Sequence, residues 1–227
     1  MTLTLVAAYP LYANAANSNI LTTPSFTPAN GDILVAKLAT WDTNTPITTT
    51  NTGSQTFNPV KVVAPGGFNQ FCALYAATVS GSPGSMTVST TAPINNSYHS
   101  MVLEQWAGGV LAATPAVNVT QTGSGVPSSS ITTTAPNSIV TSVSGDANSK
   151  PPSGRLYLGS ATEDGLQDGS TGSNSVSYFY YQSAASAGAQ TVGMSAPLLQ
   201  QWVLAAMEIK ELAAAPPASF QGWGVPI

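Results

Sequence analysis

The sequence predicts an all-β protein: an antiparallel β-sandwich of jelly-roll type built from two duplicated halves, with an extended C-terminal tail. Three observations carry this expectation. Short runs rich in Val, Ile, Thr, Tyr and Phe alternate with clusters of Gly, Pro, Asn and Ser along the 227 residues, the pattern of strands punctuated by turns. No stretch has convincing helical periodicity, and Gln200 to Leu212, the best helical rival, has a strand-like counterpart upstream. That counterpart belongs to an internal repeat. Thr87-Val88 recurs as Thr191-Val192, Ala92-Pro93-Ile94 as Ala196-Pro197-Leu198, Tyr98 as Trp202 and Glu104 as Glu208, always 104 positions apart (191 − 87 and 208 − 104).

The predicted strands are 3–8, 32–41, 55–63, 68–79, 85–91, 97–107, 116–121, 138–144, 155–162, 174–182, 190–195 and 200–212. The first needs a decision, because Ala13-Asn14-Ala15 has the form of a signal-peptidase site. No Lys or Arg precedes the apolar Leu3 to Ala8, and Pro10 and Tyr12 interrupt it, so it reads as a strand. The strands 68–79 and 97–107 are apolar on both faces, where a half-solvated strand would alternate. Their outer faces are therefore expected to lie under another layer or another chain. A second echo, at an offset of 122, aligns Thr40-Trp41-Asp42 with Thr162-Glu163-Asp164. On this reading the halves are about 24–107 and 138–212 of a sandwich spanning 1–212, with 108–153 as a crossover and each half supplying one sheet. Residues 213–227 form a Pro/Ala linker and an apolar peptide. Its Phe220, Trp223, Val225 and Ile227 are candidate partner-binding residues, because each large apolar side chain gains roughly 1.5–3 kcal/mol when buried.

Composition excludes several function classes. Charged residues are 6% of the chain against a usual share of about 25%. The five Lys and Arg are scattered, and the net charge is −4. Phosphate backbones and anionic lipid surfaces require clustered cations, so neither nucleic acid nor membrane is expected as a partner. No apolar run reaches the length of a membrane span. The single cysteine, Cys72, permits no internal disulfide and reads as a small buried hydrophobe.

Candidate chemistry is sparse. His99 is the only histidine and reads as a strand residue at a surface or interface. Glu104 and Glu208 are the carboxylates a glycoside hydrolase would need on two sides of a bond. Their place in the repeat favours equivalent structural roles. The acidic segment 163–169 matches part of a calcium-loop pattern but lacks its later ligands, and reads as a solvated hairpin tip. No phosphate loop, nucleophile elbow or dinucleotide fingerprint is present. No catalytic residue, cofactor or metal site is expected. Trp41 and Tyr180 are the candidate ligand platform, since aromatic faces stack on sugar rings, although alternating aromatics in a strand first of all fill a core.

The opening segment Pro24 to Val35, the closing Val203 to Ile209 and the terminus Gly222-Trp223-Gly224-Val225-Pro226-Ile227 carry a family likeness. They resemble small β-sandwich minor tail and virion structural proteins of tailed bacteriophages of actinobacteria. The resemblance implies a structural component of the virion, located in the extracellular particle and assembling as a homo-oligomer with other virion proteins. It implies no catalytic residues. The alternatives are a carbohydrate-binding module for host-surface glycans and a capsid decoration protein.

Overall fold

Strands that are apolar on both faces have to be covered on both faces, and the chain achieves this with four layers of its own. The computed structural model describes residues 2–13, 19–41, 48–63, 70–92, 99–111, 118–148, 151–169 and 175–213. Within them the strands are β1 (Thr4–Ala13), β2 (Ile20–Thr22), β3 (Ile33–Trp41), β4 (Thr48–Asn51), β5 (Asn58–Val63), β6 (Gln70–Thr78), β7 (Val88–Thr91) and β8 (His99–Ala107). There follow β9 (Gly109–Val110), β10 (Asn118–Gly125), β11 (Ser128–Thr133), β12 (Ser138–Asp146), β13 (Leu156–Tyr157), β14 (Thr162–Asp168), β15 (Val176–Ala184), β16 (Gly188–Ala196) and β17 (Gln200–Glu211). No helix occurs among the described residues, and none is long and apolar enough to cross a membrane.

One large sheet has the order β1-β8-β3-β6-β5 and the other β10-β17-β12-β15-β14, with β9 joined to β17. The small sheets are β2-β7-β4 and β11-β16-β13. All strand pairs are antiparallel. Adding nine to each strand number converts the first large and small sheets into the second pair. The large sheets pack face to face through Ile33, Val35, Leu74, Val102 and Trp106 on one side and Ile139, Val143, Phe179, Val203 and Met207 on the other. The outer face of the first large sheet is closed by its small sheet over Leu34, Phe71, Met101 and Leu103, with Leu21 and Val88 as the lid. The second is closed over Val140, Leu204, Tyr178 and Tyr180, with Ile131, Val192 and Met194 above. The cover expected from the two-faced strands is thus the chain's own third and fourth layers, and each half supplies two layers where one had been expected.

Equivalent turns set the register between the halves. Gly31 (φ 88°) and Asn137 (φ 54°) both take the left-handed conformation, which Gly and Asn tolerate best. Each donates its backbone N–H across to the neighbouring strand end, Gly31 to the Val79 carbonyl at 2.9 Å and Asn137 to the Ala185 carbonyl at 3.4 Å. Ile33 and Ile139 follow two residues later, and both face the centre. Beside the turns, the Gln105 amide donates to Asp32 at 2.6 Å in the first half, and the Ser138 hydroxyl donates to Glu208 at 2.7 Å in the second. The same side-chain bridge is built with the carboxylate on opposite partners.

This register corrects the sequence alignment. Glu104 lies among residues facing the centre, whereas Glu208 faces outward, bonded to Thr134, Ala135 and Ser138. Ile33 pairs with Trp106 and Ile139 with Ile209, an offset of 103 in the last strand. An offset of 104 there would exchange the two faces, because a one-residue slip turns every side chain over. The echo at 122 also fails, since the topological counterpart of β3 is β12 and the stretch 155–162 is not one strand. Residues 118–146, expected within a crossover, supply β10, β11 and the central β12. The strands β4 and β11 went unforeseen because Thr48-Thr49-Thr50-Asn51 and Ser128-Ser129-Ser130 carry no apolar alternation, and β2 because its three residues are too few to show a period.

His99 is buried beneath the small sheet, with the Thr90 hydroxyl 3.2 Å from Nε2, so it is not a surface residue. Burial lowers its pKa to about 4, against a smaller opposing effect of a hydrogen bond to the Asn19 backbone. The unfolded chain therefore takes up a proton between the ordinary 6.5 and about 4 that the folded chain refuses. The resulting stabilisation is complete above pH 6.5 and lost as pH falls toward 4. Urea unfolding of the wild type and of His99→Gln across this window is expected to show a stability difference that changes by up to about 3 kcal/mol.

Candidate functional site

The centre of the interlayer holds a charged cluster where packing alone would call for apolar groups. β3 reads Ile33-Leu34-Val35-Ala36-Lys37-Leu38-Ala39, and alternation sends Val35, Lys37 and Ala39 toward the second half. Lys37 Nζ donates to Glu104 Oε1 at 2.7 Å and to Asp164 Oδ1 and Oδ2 at 2.7 and 2.6 Å. Side-chain exposure is 0% for Lys37 and Glu104 and 5% for Asp164. Glu104 Oε2 accepts from the Trp106 indole N–H at 2.9 Å and from the Thr141 hydroxyl at 2.7 Å, so both of its oxygens are occupied. Trp106 is itself packed edge-on against Tyr181, with ring centroids 5.2 Å apart.

Asp164 reaches this position through a β-bulge. β14 pairs with β15 as Glu163↔Tyr180 and then Gly165↔Phe179, leaving Asp164 as the extra residue. A bulge re-aims a side chain. Here Glu163 keeps the outward direction, bonded to Arg155 at 2.7 Å and to the Tyr157 hydroxyl, while Asp164 turns inward. Gly165 permits the close approach, for a Cβ there would come within 2.6 Å of Val102 Cγ2 and 2.8 Å of the Tyr12 hydroxyl. The Leu166 N–H donates to that same hydroxyl at 2.9 Å, which anchors β14 to β1. The segment 163–168 is accordingly a paired strand with its acids directed apart, where a solvated hairpin tip had been expected.

Burial pushes the Asp164 carboxyl up to about 7, reinforced by Glu104 and opposed by Lys37. Burial also acts to raise Glu163, but hydrogen bonds from Arg155 and Tyr157 hold it below the usual carboxylate range. Glu208 behaves in the same way, held down by Ser138, Thr134 and Ala135 against the effect of burial. Two adjacent residues, Glu163 and Asp164, thus differ in opposite directions because one faces an arginine and the other a dry interior.

At the equivalent place in the other half the three corresponding residues are apolar. From Ile33 and Ile139, Lys37 corresponds to Val143. Val35 pairs with Glu104 and Thr141 with Met207, which makes Met207 the counterpart of Glu104. Leu74 pairs with Lys61 and Phe179 with Gly165, each just after a bulge, so Val60 is the counterpart of Asp164. Val143, Met207 and Val60 all belong to the apolar interlayer. The fold closes this position with three hydrophobes, and the charges at the other are not a requirement of the architecture. A groove of about 550 Å³ opens beside the apolar position, lined by Val60 and Met207 with Ser54, Thr56, Asn58 and Glu208, and among the described residues no aromatic ring lines it.

The other sequence candidates are not brought together. Glu104 and Glu208 lie on opposite sides of the second large sheet, Glu104 against Thr141 on its inner face and Glu208 beside Val140 on its outer face. Tyr180 is buried beneath Tyr157, ring centroids 4.9 Å apart, and offers no open face to a ligand. Trp41 ends β3, and its side chain lies outside the described residues, as do Phe220, Trp223, Val225 and Ile227. No group of three potential metal ligands occurs among the described residues. Sequence reading missed Lys37 and Asp164 as a site. The available signal was a lone lysine at an inward position of a strand apolar on both faces. Compared with family models, curated proteins and solved structures, the chain matches none.

Removing one member of a buried ion cluster leaves an uncompensated charge and costs about 3–5 kcal/mol, whereas replacing the whole cluster with packed hydrophobes does not. Lys37→Met is therefore expected to lower the urea midpoint. The triple variant Lys37→Val/Glu104→Met/Asp164→Val, which copies the apolar counterpart, is expected to unfold at higher urea than the single variant.

Proposed function

We propose that the chain is a structural subunit of a tailed-phage virion, a minor tail protein that assembles through its sheet surfaces and its C-terminal peptide. The observation that carries this reading is a patch of large apolar side chains kept in water at one end of the second small sheet. Leu198 and Leu199 are 67% and 71% exposed, and Leu156, which pairs with Ala196 two residues before Leu198, is 61% exposed. Leu199 also has φ 62°, an unfavourable conformation for a leucine, and its carbonyl is held by the Asn148 amide at 3.2 Å. A turn that displays leucines at such cost suits a contact with another subunit. The sparse surface charge offers little repulsion to such a contact, and three of the chain's few ionic groups are spent on joining its two halves. The matching strand orders support reading the halves as copies of one jelly-roll-like unit, with the first strand beside the last and the third beside the sixth.

Two variants test the assembly surfaces separately. Leu198→Ser/Leu199→Asn, in which Asn suits the positive φ, is expected to keep the circular dichroism of the wild type while losing incorporation into particles, scored by immunoblot of purified virions. Deletion of 213–227 is expected to leave a folded domain that no longer joins the particle. Normal incorporation of both variants would defeat the reading.

A further inference from the structure

The contact between Lys37 and Asp164 brings together the two groups of an amide bond as well as of an ion pair. Nζ lies 2.7 and 2.6 Å from the two carboxyl oxygens, which brings the nitrogen close to the carbon that joins them, and holding two reacting groups together in this way favours an intramolecular reaction. The same nitrogen lies 2.7 Å from Glu104 Oε1, within reach of a second carboxylate able to carry protons. All three side chains are out of water, so no solvent competes with the amine for the carboxyl carbon. An uncharged lysine amine is a nucleophile.

We propose that Lys37 and Asp164 are joined by an intramolecular isopeptide bond, formed autocatalytically with Glu104 as the catalytic proton carrier. The amine of Lys37 attacks Cγ of the protonated Asp164, forming the N–C bond. Glu104 takes a proton from the attacking nitrogen and returns it to the departing hydroxyl. The C–O bond breaks, one water leaves and an amide remains; no oxidant, reductant or cofactor takes part. Trp106 and Thr141 hold the outer oxygen of Glu104 at 2.9 and 2.7 Å, leaving the inner one aimed at the amine. Burial keeps the Asp164 acid up at about 7, the state in which hydroxide can depart as water.

Two further observations set this apart from a structural ion pair. The counterpart position is filled by Val143, Met207 and Val60, so the architecture does not call for charge here. The partners also sit where a covalent tie has most effect. Lys37 is on the middle strand of one large sheet, Asp164 on the edge strand of the other, 127 positions away. A bond between them closes a loop through both halves and prevents their separation, constraining the unfolded chain as a disulfide would. This inference does not rest on the virion reading and is tested independently of it.

Intact-mass spectrometry of the purified full-length protein in denaturant is the decisive measurement. The expected result is a mass one water below that of the sequence, with proteolysis yielding a branched peptide that joins the Lys37 and Asp164 segments. Glu104→Gln, close in shape, is expected to give a folded protein at full sequence mass. Asp164→Asn is expected to lose one ammonia where the wild type loses one water. A wild-type chain at full mass after prolonged incubation at neutral pH overturns the proposal, as does a water loss without the Lys37–Asp164 peptide. Bond formation in Glu104→Gln at the wild-type rate overturns the role given to Glu104.

Discussion

The layer between the two large sheets is where the halves of the chain meet, and a polar side chain buried there is costly unless its polar atoms find partners. Nearly everything in it is apolar, from Ile33 and Val102 to Phe179 and Ile209. At one position the chain instead buries an amine and two carboxyls, which is stable only because each is matched by another or by Trp106 and Thr141. That condition ties distant parts of the fold together. β3 must present Lys37 inward, β8 must present Glu104 beside it, and β14 must carry a bulge that turns Asp164 away from the direction of Glu163. Gly165 must remain without a side chain so that β14 can lie against Val102 and Tyr12.

The near-symmetry of the halves gives the cluster its meaning. Two large sheets with matching strand orders provide two comparable places in the interlayer, an internal comparison made under the same packing constraints. At one, Val143, Met207 and Val60 satisfy those constraints with dispersion and the exclusion of water. At the other, Lys37, Glu104 and Asp164 satisfy them with charge, at a desolvation cost that a hydrophobic solution avoids. A chain that carries so few charged residues and places three of them here has put reactive groups where solvent cannot compete for them. The bridges at the turns show milder divergence, where Gln105 with Asp32 and Glu208 with Ser138 make one contact from exchanged partners.

Much of the architecture was legible in residue order. The strand runs, the absence of helical periodicity and the two-faced apolar character of 68–79 and 97–107 led to an antiparallel β-sandwich with covered outer faces, and Gln200–Glu211 is the strand expected from its counterpart. Legibility failed where strands carry no apolar alternation. Thr48–Asn51 and much of Ser128–Thr133 are held by ladder hydrogen bonds over a core supplied by other strands, so their own side chains do not announce them. It failed again in the repeat, where matching letters at an offset of 104 placed Glu104 opposite Glu208. Similarity of letters carries no information about parity, and a strand turned over by one residue exchanges core for surface.

By itself, then, residue order determined the class of fold, the apolar demand of its central strands and the poverty of charge. These follow from local periodicity and composition, which each segment carries alone. Only the tertiary structure decided that the cover comes from the chain's own small sheets, that Tyr180 and His99 are interior, and that Lys37 meets Asp164 across 127 positions. Such meetings depend on which strands become neighbours and where a bulge shifts the register, and both are settled by the packing of whole layers, beyond the reach of any single segment.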